Sequence, residues 1–231
     1  MMNELKPKLA HVHWIGGSPC SGKSSIVDLL AASTGSVTVY HCDDHFDKHL
    51  EQTTLEKQPE FYRVRNMSWD DLWMRPVAEQ VKHELAIYRE QFLMIVADLL
   101  KMPSDKPILV EGAALLPKMV ADVSQPNQAF YVVPTPEFQW RTYEKRPWIH
   151  HILGECREPE QAFKNWMERD VEFGRYVAET AVTLNYPVIH VDGSHTIAEN
   201  AAQIAQYFDL WLLFHEREGE NGRLYCATTK L

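Results

Sequence analysis

The sequence predicts an α/β fold with a five-stranded parallel sheet. Short apolar or β-branched runs recur along the chain, and the segments between them carry apolar residues at helical spacing. Strands that alternate with helices form a parallel sheet through right-handed crossovers. The predicted strands are residues 11–15, 37–42, 107–110, 129–133 and 187–191.

The composition of the 231-residue chain limits the classes of function. The net charge of −9 argues against a nucleic-acid-binding protein, because binding to the phosphate backbone needs a basic face. The four cysteines form no C-x-x-C pair and no secretory signal precedes them, so we expect reduced thiols and a cytoplasmic location. No window approaches the roughly 18 apolar residues of a membrane span, so no membrane partner is expected.

Residues 17–25 read GSPCSGKSS and fit the pattern G-x-x-x-x-G-K-[ST] of a phosphate-binding loop. The glycines allow the backbone to curl, so that successive N–H groups form a concave anion site. Lys23 can bring its ammonium group to the β- and γ-phosphates, and Ser24 can offer its hydroxyl to Mg²⁺. A predicted strand before the loop and a predicted helix after it supply the expected context. The expected nucleotide-binding residues are Gly17, Ser18, Pro19, Cys20, Ser21, Gly22, Lys23, Ser24 and Ser25.

With this loop the chain resembles the P-loop kinases of the nucleoside/nucleotide-kinase-like group, which includes the uridine kinase-like and adenylate kinase-like enzymes. The resemblance implies a P-loop NTPase fold with three α/β/α layers, strand order 2-3-1-4-5, and ATP and Mg²⁺ as cofactors. It also implies a single domain over residues 1–231. Its parts would be a core of about 9–45, 105–140 and 180–214, a helical acceptor-side insertion of about 46–104, a helical lid of about 141–172 and a tail of 215–231.

Two adjacent carboxylates, Asp43 and Asp44, follow the second predicted strand, at the sheet edge where ligands bind in open α/β folds. Such groups can orient an acceptor hydroxyl, take its proton or hold Mg²⁺ through water. A D-x-F pattern at Asp44, His45 and Phe46 resembles the pattern of the group's catalytic base. The resemblance therefore implies that Asp44 is the base, with Asp43 as second choice and Phe46 beside the acceptor. The alternative is that one carboxylate only caps the following turn.

Glu111 ends the third predicted strand and precedes Gly112, an E-G pair that the resembled uridine-kinase-like enzymes also show. The resemblance implies that Glu111 contributes to the Mg²⁺ shell, with Ser24 and Asp43, or contacts the acceptor. The alternative is a strand-end carboxylate that is bonded to backbone amides.

The segment 46–104 interrupts the alternation of strands and helices. Pro76 precedes a long predicted helix whose apolar stripe we expect in the core: Val77, Val81, Leu85, Tyr88, Phe92, Ile95 and Leu99. Ahead of it, residues 61–73 mix aromatic residues with Arg63 and Arg65. Because the resembled group holds its acceptor in this insertion, these arginines would suit a planar or anionic acceptor. The alternative is an aromatic satellite core with solvated arginines.

Basic residues are concentrated between residues 141 and 175. Thr135 and Pro136 predict the start of a helix that reaches about residue 145, and a second helix is expected to end near residue 184. The resemblance implies a mobile lid that places arginines over the transferring phosphate. The candidates are Arg141, Arg146 and Arg169, each of which is alternatively a surface residue.

The C-terminal part predicts a helix from about 197 to 213 and a hairpin at Asn221-Gly222. The resemblance implies that the turn at 192–194 borders the adenine of the nucleotide.

These features together predict an ATP-dependent phosphotransferase that moves the γ-phosphate to a hydroxyl or a phosphate of a small molecule, nucleotide-like or another metabolite. The alternative is a non-catalytic nucleotide-binding sensor or a simple NTPase. A GTPase switch is disfavoured, because the sequence contains neither D-x-x-G nor N-K-x-D. The expected partners are a nucleoside triphosphate and a small-molecule acceptor, and both a monomer and a homodimer remain open.

Overall fold

A computed structural model describes residues 4–210 of the chain. Its sheet has five strands that pair only in parallel, in the order β2-β3-β1-β4-β5. The predicted strand order is confirmed, and every predicted strand overlaps an observed one. The strands are β1 (Val12–Gly17), β2 (Thr38–His41), β3 (Ile108–Gly112), β4 (Ala129–Pro134) and β5 (Val188–Val191).

Ten helices surround the sheet in the described part of the chain. They are α1 (Lys23–Thr34), α2 (Phe46–Gln52), α3 (Pro59–Val64), α4 (Trp69–Trp73), α5 (Val77–Leu99), α6 (Pro117–Val123), α7 (Pro136–Tyr143), α8 (Pro147–Gly154), α9 (Pro159–Thr183) and α10 (Ile197–Tyr207). None of those within residues 4–210 is both long enough and apolar enough to cross a membrane.

Both faces of the sheet are covered by helices, which explains why the central strands β1, β3 and β4 are buried at nearly every position rather than at every second one. On one face, Trp14 and Tyr131 pack with Phe92 of α5 and Phe173 of α9. On the other face, Ile15 and Val132 pack with Ile26 of α1 and Ile204 of α10. The molecule therefore has three layers, with the sheet between two sets of helices.

The helical insertion between β2 and β3 contains α2 to α5. Ser68 is the N-cap of α4, since its side chain accepts a hydrogen bond from the backbone N–H of Asp71 in a capping box. The long helix α5 is also confirmed. Its expected core stripe is correct only in the C-terminal half, where Phe92, Ile95 and Leu99 are buried.

In the N-terminal half of α5 the buried residues include Gln80 and Glu84, whereas Val77, Val81 and Leu85 are only partly buried. This half of the helix faces the insertion and α9 rather than the sheet, so it buries polar side chains that have partners there.

The segment between β4 and β5 forms α7, α8 and α9. Thr135 begins α7 as predicted, since its side chain accepts from the N–H of Phe138, although the helix ends at Tyr143 rather than near residue 145. Helix α9 has 25 residues and ends at Thr183, with Leu184 as its C-cap, as expected. The predicted lid boundary at about residue 172 falls inside this continuous helix.

Helix α10 begins at Ile197 after a capping box made by Thr196 and Glu199. It ends at Tyr207, earlier than the predicted residue 213, because Asp209 adopts a left-handed conformation (φ 53°) and the N–H of Leu210 donates to the carbonyl of Ala205. The predicted hairpin at Asn221-Gly222 and the tail 215–231 lie outside the described residues.

Candidate functional site

The glycine-rich loop, residues 17–25, connects the carboxyl end of β1 to the start of α1. At Gly17 (φ 149°) a Cβ atom would overlap the carbonyl group of Val132 in the neighbouring strand. At Gly22 (φ 82°) the backbone is left-handed, and a Cβ would lie 2.8 Å from Ile197 Cδ1. Both glycines of the pattern are therefore required by this loop's own packing.

Lys23, the first residue of α1, is 8% exposed and turns back across the loop. Its Nζ donates to the carbonyl oxygen of Ser18 at 2.9 Å and to Ser21 Oγ at 3.3 Å. Within residues 4–210 it forms no ion pair. The hydrogen-bond partners of this buried ammonium group among the described residues are neutral oxygens, an arrangement that leaves its charge available to an anion.

The other residues of the loop differ in exposure. Ser18, Cys20 and Ser21 are buried, Pro19 is partly buried, and Ser24 and Ser25 are exposed on the first turn of α1. Cys20 has φ 64°, and burial raises the pKa of its thiol to about 11, although the charge of Arg146 opposes the shift.

Glu111 ends β3 beside the loop and is 2% exposed. Its Oε1 accepts from Ser24 Oγ at 3.0 Å and lies 2.8 Å from His41 Nδ1 at the end of β2. The other ring nitrogen of His41 lies 3.2 Å from Asp28 Oδ1. Glu111 thus bonds to side chains, and the alternative of a carboxylate bound only to backbone amides is wrong.

Sequence reasoning missed His41, although a signal was available. His41 is the last residue of β2 and pairs in register with Glu111 on β3, so the two strand ends meet. Burial lowers the pKa of His41, but its hydrogen bond to Glu111 and the charges of Glu111 and Asp28 raise it above the ordinary value overall.

Asp43 and Asp44 lie in a single 3₁₀ turn directly after β2. Neither side chain accepts a hydrogen bond from a described residue, so the alternative that one of them caps the turn is not supported. Partial desolvation raises the pKa of Asp43, with the nearby charge of Lys23 opposing the shift and that of Glu111 adding to it. The charges of Lys23 and Glu111 therefore both act on the Asp43 carboxylate.

The helical insertion encloses a cavity of about 370 Å³, here called the insertion cavity. Residues of α2, α4, α5 and α9 line most of it, among them Phe46, Trp73, Gln80, Glu84 and Arg169. Tyr88 also lines it, and the pKa of its phenol is raised well above the ordinary value by burial and then by the charges of Glu84 and, more weakly, Asp43. The charge of Asp43 therefore acts on a residue of the cavity wall, although Asp43 itself does not line the cavity.

Arg63 and Arg65 are not brought to this cavity. Arg63 is exposed and pairs with Glu60 at 2.6 Å, and the exposed Arg65 lies over the ring of Tyr62 at 5.4 Å. The arginines that line the cavity are Arg75 and Arg169. The sequence analysis did not single out Arg75, and it assigned Arg169 to the lid.

Some of the aromatic residues ahead of α5 form a satellite core, which agrees with the alternative interpretation of this segment. Phe61 is fully buried and packs against Phe46 at a ring distance of 5.0 Å, and Trp73 stacks on Trp166 of α9 at 4.0 Å. Phe46 and Trp73 also line the insertion cavity, so the same residues support its wall.

Arg169 is held in a buried network of charges. Its Nε donates to Asp170 Oδ1 at 2.7 Å, its NH1 lies 3.3 Å from Glu84 Oε1, and its guanidinium lies 4.7 Å from the ring of Trp73. Tyr143 donates to the other oxygen of Asp170 at 2.8 Å. Burial raises the pKa of Glu84 to about 7 against the opposing charge of Arg169.

The other two candidate arginines of the predicted lid lie at different places. Arg146 lies over the rings of Tyr143 and Trp148, and its charge acts on Cys20 of the glycine-rich loop. Arg141 donates to the carbonyl oxygen of Asp192 at 3.4 Å, in the turn after β5. Of the three, Arg146 is therefore the one placed near the loop without a carboxylate partner within residues 4–210.

No family model matches the chain, and no curated protein matches it.

No three His, Cys, Asp or Glu side chains in the part of the chain that the structure describes converge to hold a metal ion by themselves. Mg²⁺ seldom needs such a cage, because it keeps several waters and is bound by one or two carboxylates together with substrate phosphates. Ser24 and Glu111 place side-chain oxygens together beside the loop, and the charge of Glu111 acts on Asp43.

A larger groove of about 640 Å³ lies between α5, α7 and α9 and is lined by residues such as Val77, Trp140 and Glu168. It contains none of the predicted site residues, and its walls are mainly apolar. We therefore assign the candidate site to the glycine-rich loop, the acidic strand ends and the insertion cavity.

Proposed function

We propose that the protein is a P-loop phosphotransferase that moves the γ-phosphate of MgATP to a small-molecule acceptor held in the insertion cavity. The observation that carries the proposal is the position of Lys23. It is a buried cation without an ion pair in the described chain, on a loop whose Ser24 bonds to Glu111 of β3 and whose Cys20 packs in one cluster with Trp73 of the cavity wall.

The triphosphate supplies the counter-charge that Lys23 lacks. The start of α1 adds the partial positive charge of a helix N-terminus at the same place. Ser24, Glu111 and Asp43 are the residues that would hold Mg²⁺, in part through water. When bound, the ion neutralises charge on the phosphates.

The acceptor hydroxyl lies between the insertion cavity and the loop. Its oxygen forms a bond to the γ-phosphorus while the bond from that phosphorus to the β,γ-bridging oxygen breaks, and its proton passes to a carboxylate. Asp43 suits the role of base because its raised pKa brings it closer to neutral pH. Asp44, which the sequence pattern favours, is the second candidate.

The three arginines take different roles in this proposal. Arg146 is the one free to act on the transferred phosphate, because it lies near Cys20 and has no carboxylate partner among the described residues. Arg169 is a positioning residue that holds Glu84 and Asp170 at the cavity wall. Arg141 borders the turn after β5, where the adenine would lie.

The proposal is tested by measuring ADP release from MgATP with purified protein, alone and with a panel of hydroxylated small molecules. Lys23→Ala is expected to lower the turnover at least ~100-fold and to weaken binding of a fluorescent ATP analogue. Lys118→Ala is the matched control, since Lys118 is an exposed lysine on α6 that makes no ion pair within residues 4–210. If the protein binds no purine triphosphate, or if Lys23→Ala behaves like the control, the proposal is wrong.

The same assay separates the alternatives. A sensor binds the nucleotide without releasing ADP, and a simple NTPase releases ADP at a rate that no member of the panel increases.

A further inference from the structure

His41, the last residue of β2, contacts two carboxylates at once. Its Nδ1 lies 2.8 Å from Glu111 Oε1, and its Nε2 lies 3.2 Å from Asp28 Oδ1. A carboxylate only accepts hydrogen bonds, so the bond to Glu111 requires a proton on Nδ1. The neutral tautomer with its proton on Nδ1 and the doubly protonated ring both supply this bond.

The fold places these side chains on facing surfaces. Residues 41 and 111 pair in register at the ends of the parallel strands β2 and β3, so their side chains project from the same face of the sheet. Ser24 and Asp28 are four residues apart in α1, which puts them on one face of that helix. The hydrogen bonds described above join the two surfaces.

The resulting network links α1, β2 and β3 around the Glu111 carboxylate. Ser24 Oγ donates to Glu111 Oε1 at 3.0 Å, and His41 bonds to the same oxygen from the neighbouring strand. Glu111 is 2% exposed, so these bonds replace water that its carboxylate would otherwise bind. They fix the direction of the carboxylate relative to the first turn of α1.

The network occupies only one oxygen of Glu111. Ser24 and His41 both bond to Oε1, and no residue within 4–210 bonds to Oε2. A carboxylate that is held in one direction with capacity to spare is suited to binding Mg²⁺ or one of its waters. Groups that hydrogen-bond to a metal ligand orient it, and their loss typically lowers metal affinity or activity 10- to 100-fold.

His41 itself is not arranged to contact the nucleotide or the acceptor. Both of its ring nitrogens face carboxylates, so neither is left for a phosphate or a hydroxyl. Its side chain is 23% exposed, so replacing it removes a hydrogen bond more than it removes core packing.

We infer that His41 is a positioning residue of the metal site, which holds the Glu111 carboxylate beside Ser24 while Asp28 orients the ring from the other side. The inference rests on the proposed phosphotransferase function and adds a residue to its Mg²⁺ site. Because His41 acts through Glu111, its loss weakens binding of the nucleotide only when Mg²⁺ is bound with it.

The test measures the affinity of the full chain for a fluorescent, non-hydrolysable ATP analogue twice, with excess Mg²⁺ and with EDTA. We expect His41→Ala to raise the Kd in Mg²⁺ at least ten-fold and to leave the Kd in EDTA within two-fold of that of the native protein. Comparing the two conditions within one variant separates the metal effect from a general loss of stability, which would weaken both.

His41→Asn is the conservative variant, since its amide can place an N–H donor where Nδ1 lies and keep the bond to Glu111. It loses the bond to Asp28, which is exposed and contributes less. Its Kd in Mg²⁺ is expected within three-fold of that of the native protein. His190→Ala is the matched control, because His190 is an exposed histidine of β5 that forms no hydrogen bond with a described residue.

The outcomes separate this inference from the proposed function. An equal loss of affinity in Mg²⁺ and in EDTA would show that His41 has only a structural role, and the inference is then wrong. It is also wrong if His41→Ala binds as His190→Ala does, or if His41→Asn is as impaired as His41→Ala. These three results leave the phosphotransferase intact, whereas a native protein that binds no analogue in either condition overturns the proposed function and the inference together.

Discussion

At the scale of single residues, Asp43 and Asp44 are neighbours in the chain but differ in their surroundings. Asp43 interacts with Lys23 and Glu111, and its pKa is raised by desolvation, whereas Asp44 acts on His41. The sequence pattern favours Asp44 as the base, and the charges around the two carboxylates favour Asp43.

Separate Asp43→Asn and Asp44→Asn variants decide between them. The variant that removes the base is expected to lose about two orders of magnitude or more in kcat while it keeps its affinity for ATP. Because a base must be ionised, activity falls as the pH falls through its pKa, and for Asp43 this fall lies at a higher pH than for an ordinary aspartate. Steady-state rates of each variant from pH 4 to 8 give the loss in kcat and the pH at which activity falls. Equal loss in the two variants would contradict the assignment of a single base.

Glu84 gives a prediction about stability rather than rate. Its pKa is raised from 4.5 to about 7 by burial, so the folded protein binds this proton more tightly than the unfolded chain does. The stabilisation that this proton gives is fully present below about pH 4.5 and is lost as the pH rises through 7. Arg169, Asp170 and Tyr88 are the charged or titratable groups that interact with it.

The free energy of unfolding of the native protein minus that of Glu84→Gln, measured by urea denaturation, is therefore expected to fall between pH 4.5 and 7. The comparison isolates Glu84 from the carboxylates whose pKa is lowered, such as Asp98 and Asp192, since both proteins contain these. A difference that is independent of pH would show that Glu84 is ionised throughout.

At the scale of elements, the start of the loop that connects β1 to α1 packs closely against the neighbouring strand β4. Gly17→Ala places a Cβ atom against the carbonyl of Val132, so either β4 or the loop must move. We expect a loss of at least about 2 kcal/mol in the free energy of unfolding and weaker ATP binding.

Gly154→Ala provides the matched control for this prediction. Gly154 ends α8, and a Cβ atom there would meet no other atom within 4 Å. This variant is expected to be neutral or slightly more stable, because alanine favours the helix. Chemical denaturation of the two variants side by side measures both effects, and equal midpoints would count against the close approach at Gly17.

Helix α5 shows why patterns within one element predict only part of a site. Its apolar residues at helical spacing predicted a core stripe, which holds for Phe92, Ile95 and Leu99 next to the sheet. The spacing contains no information about what faces the first half of the helix, where Gln80 and Glu84 are buried against the insertion cavity.

At the scale of the whole molecule, the nucleotide and the fold are expected to be coupled. The loop, β2, β3 and the lid segment all contribute to the candidate site, and Cys20 of the loop packs in one cluster with Trp73 of α4 and Trp166 of α9. A ligand that binds only the folded chain stabilises it by about 2.7 kcal/mol at a hundred times its Kd.

MgATP at such a concentration should therefore raise the thermal unfolding midpoint of the native protein, as followed by circular dichroism. Lys23→Ala should not show this increase, whereas Lys118→Ala should show it in full. An increase of the same size in Lys23→Ala would place the nucleotide outside the glycine-rich loop.

The sequence by itself determined the strands, the glycine-rich loop and the cap at Thr135, and the resemblance supplied the order of the strands. These depend on short-range rules: side-chain periodicity, backbone freedom at glycine, and hydrogen bonds to N–H groups within three residues. The tertiary structure alone decided which charges meet. It paired Glu111 with Ser24 and His41, brought Arg169 rather than Arg63 to the cavity, and buried Gln80 and Glu84 in α5. Those contacts join residues far apart in the chain, and they depend on how α5 and α9 pack around the insertion, which no local pattern specifies.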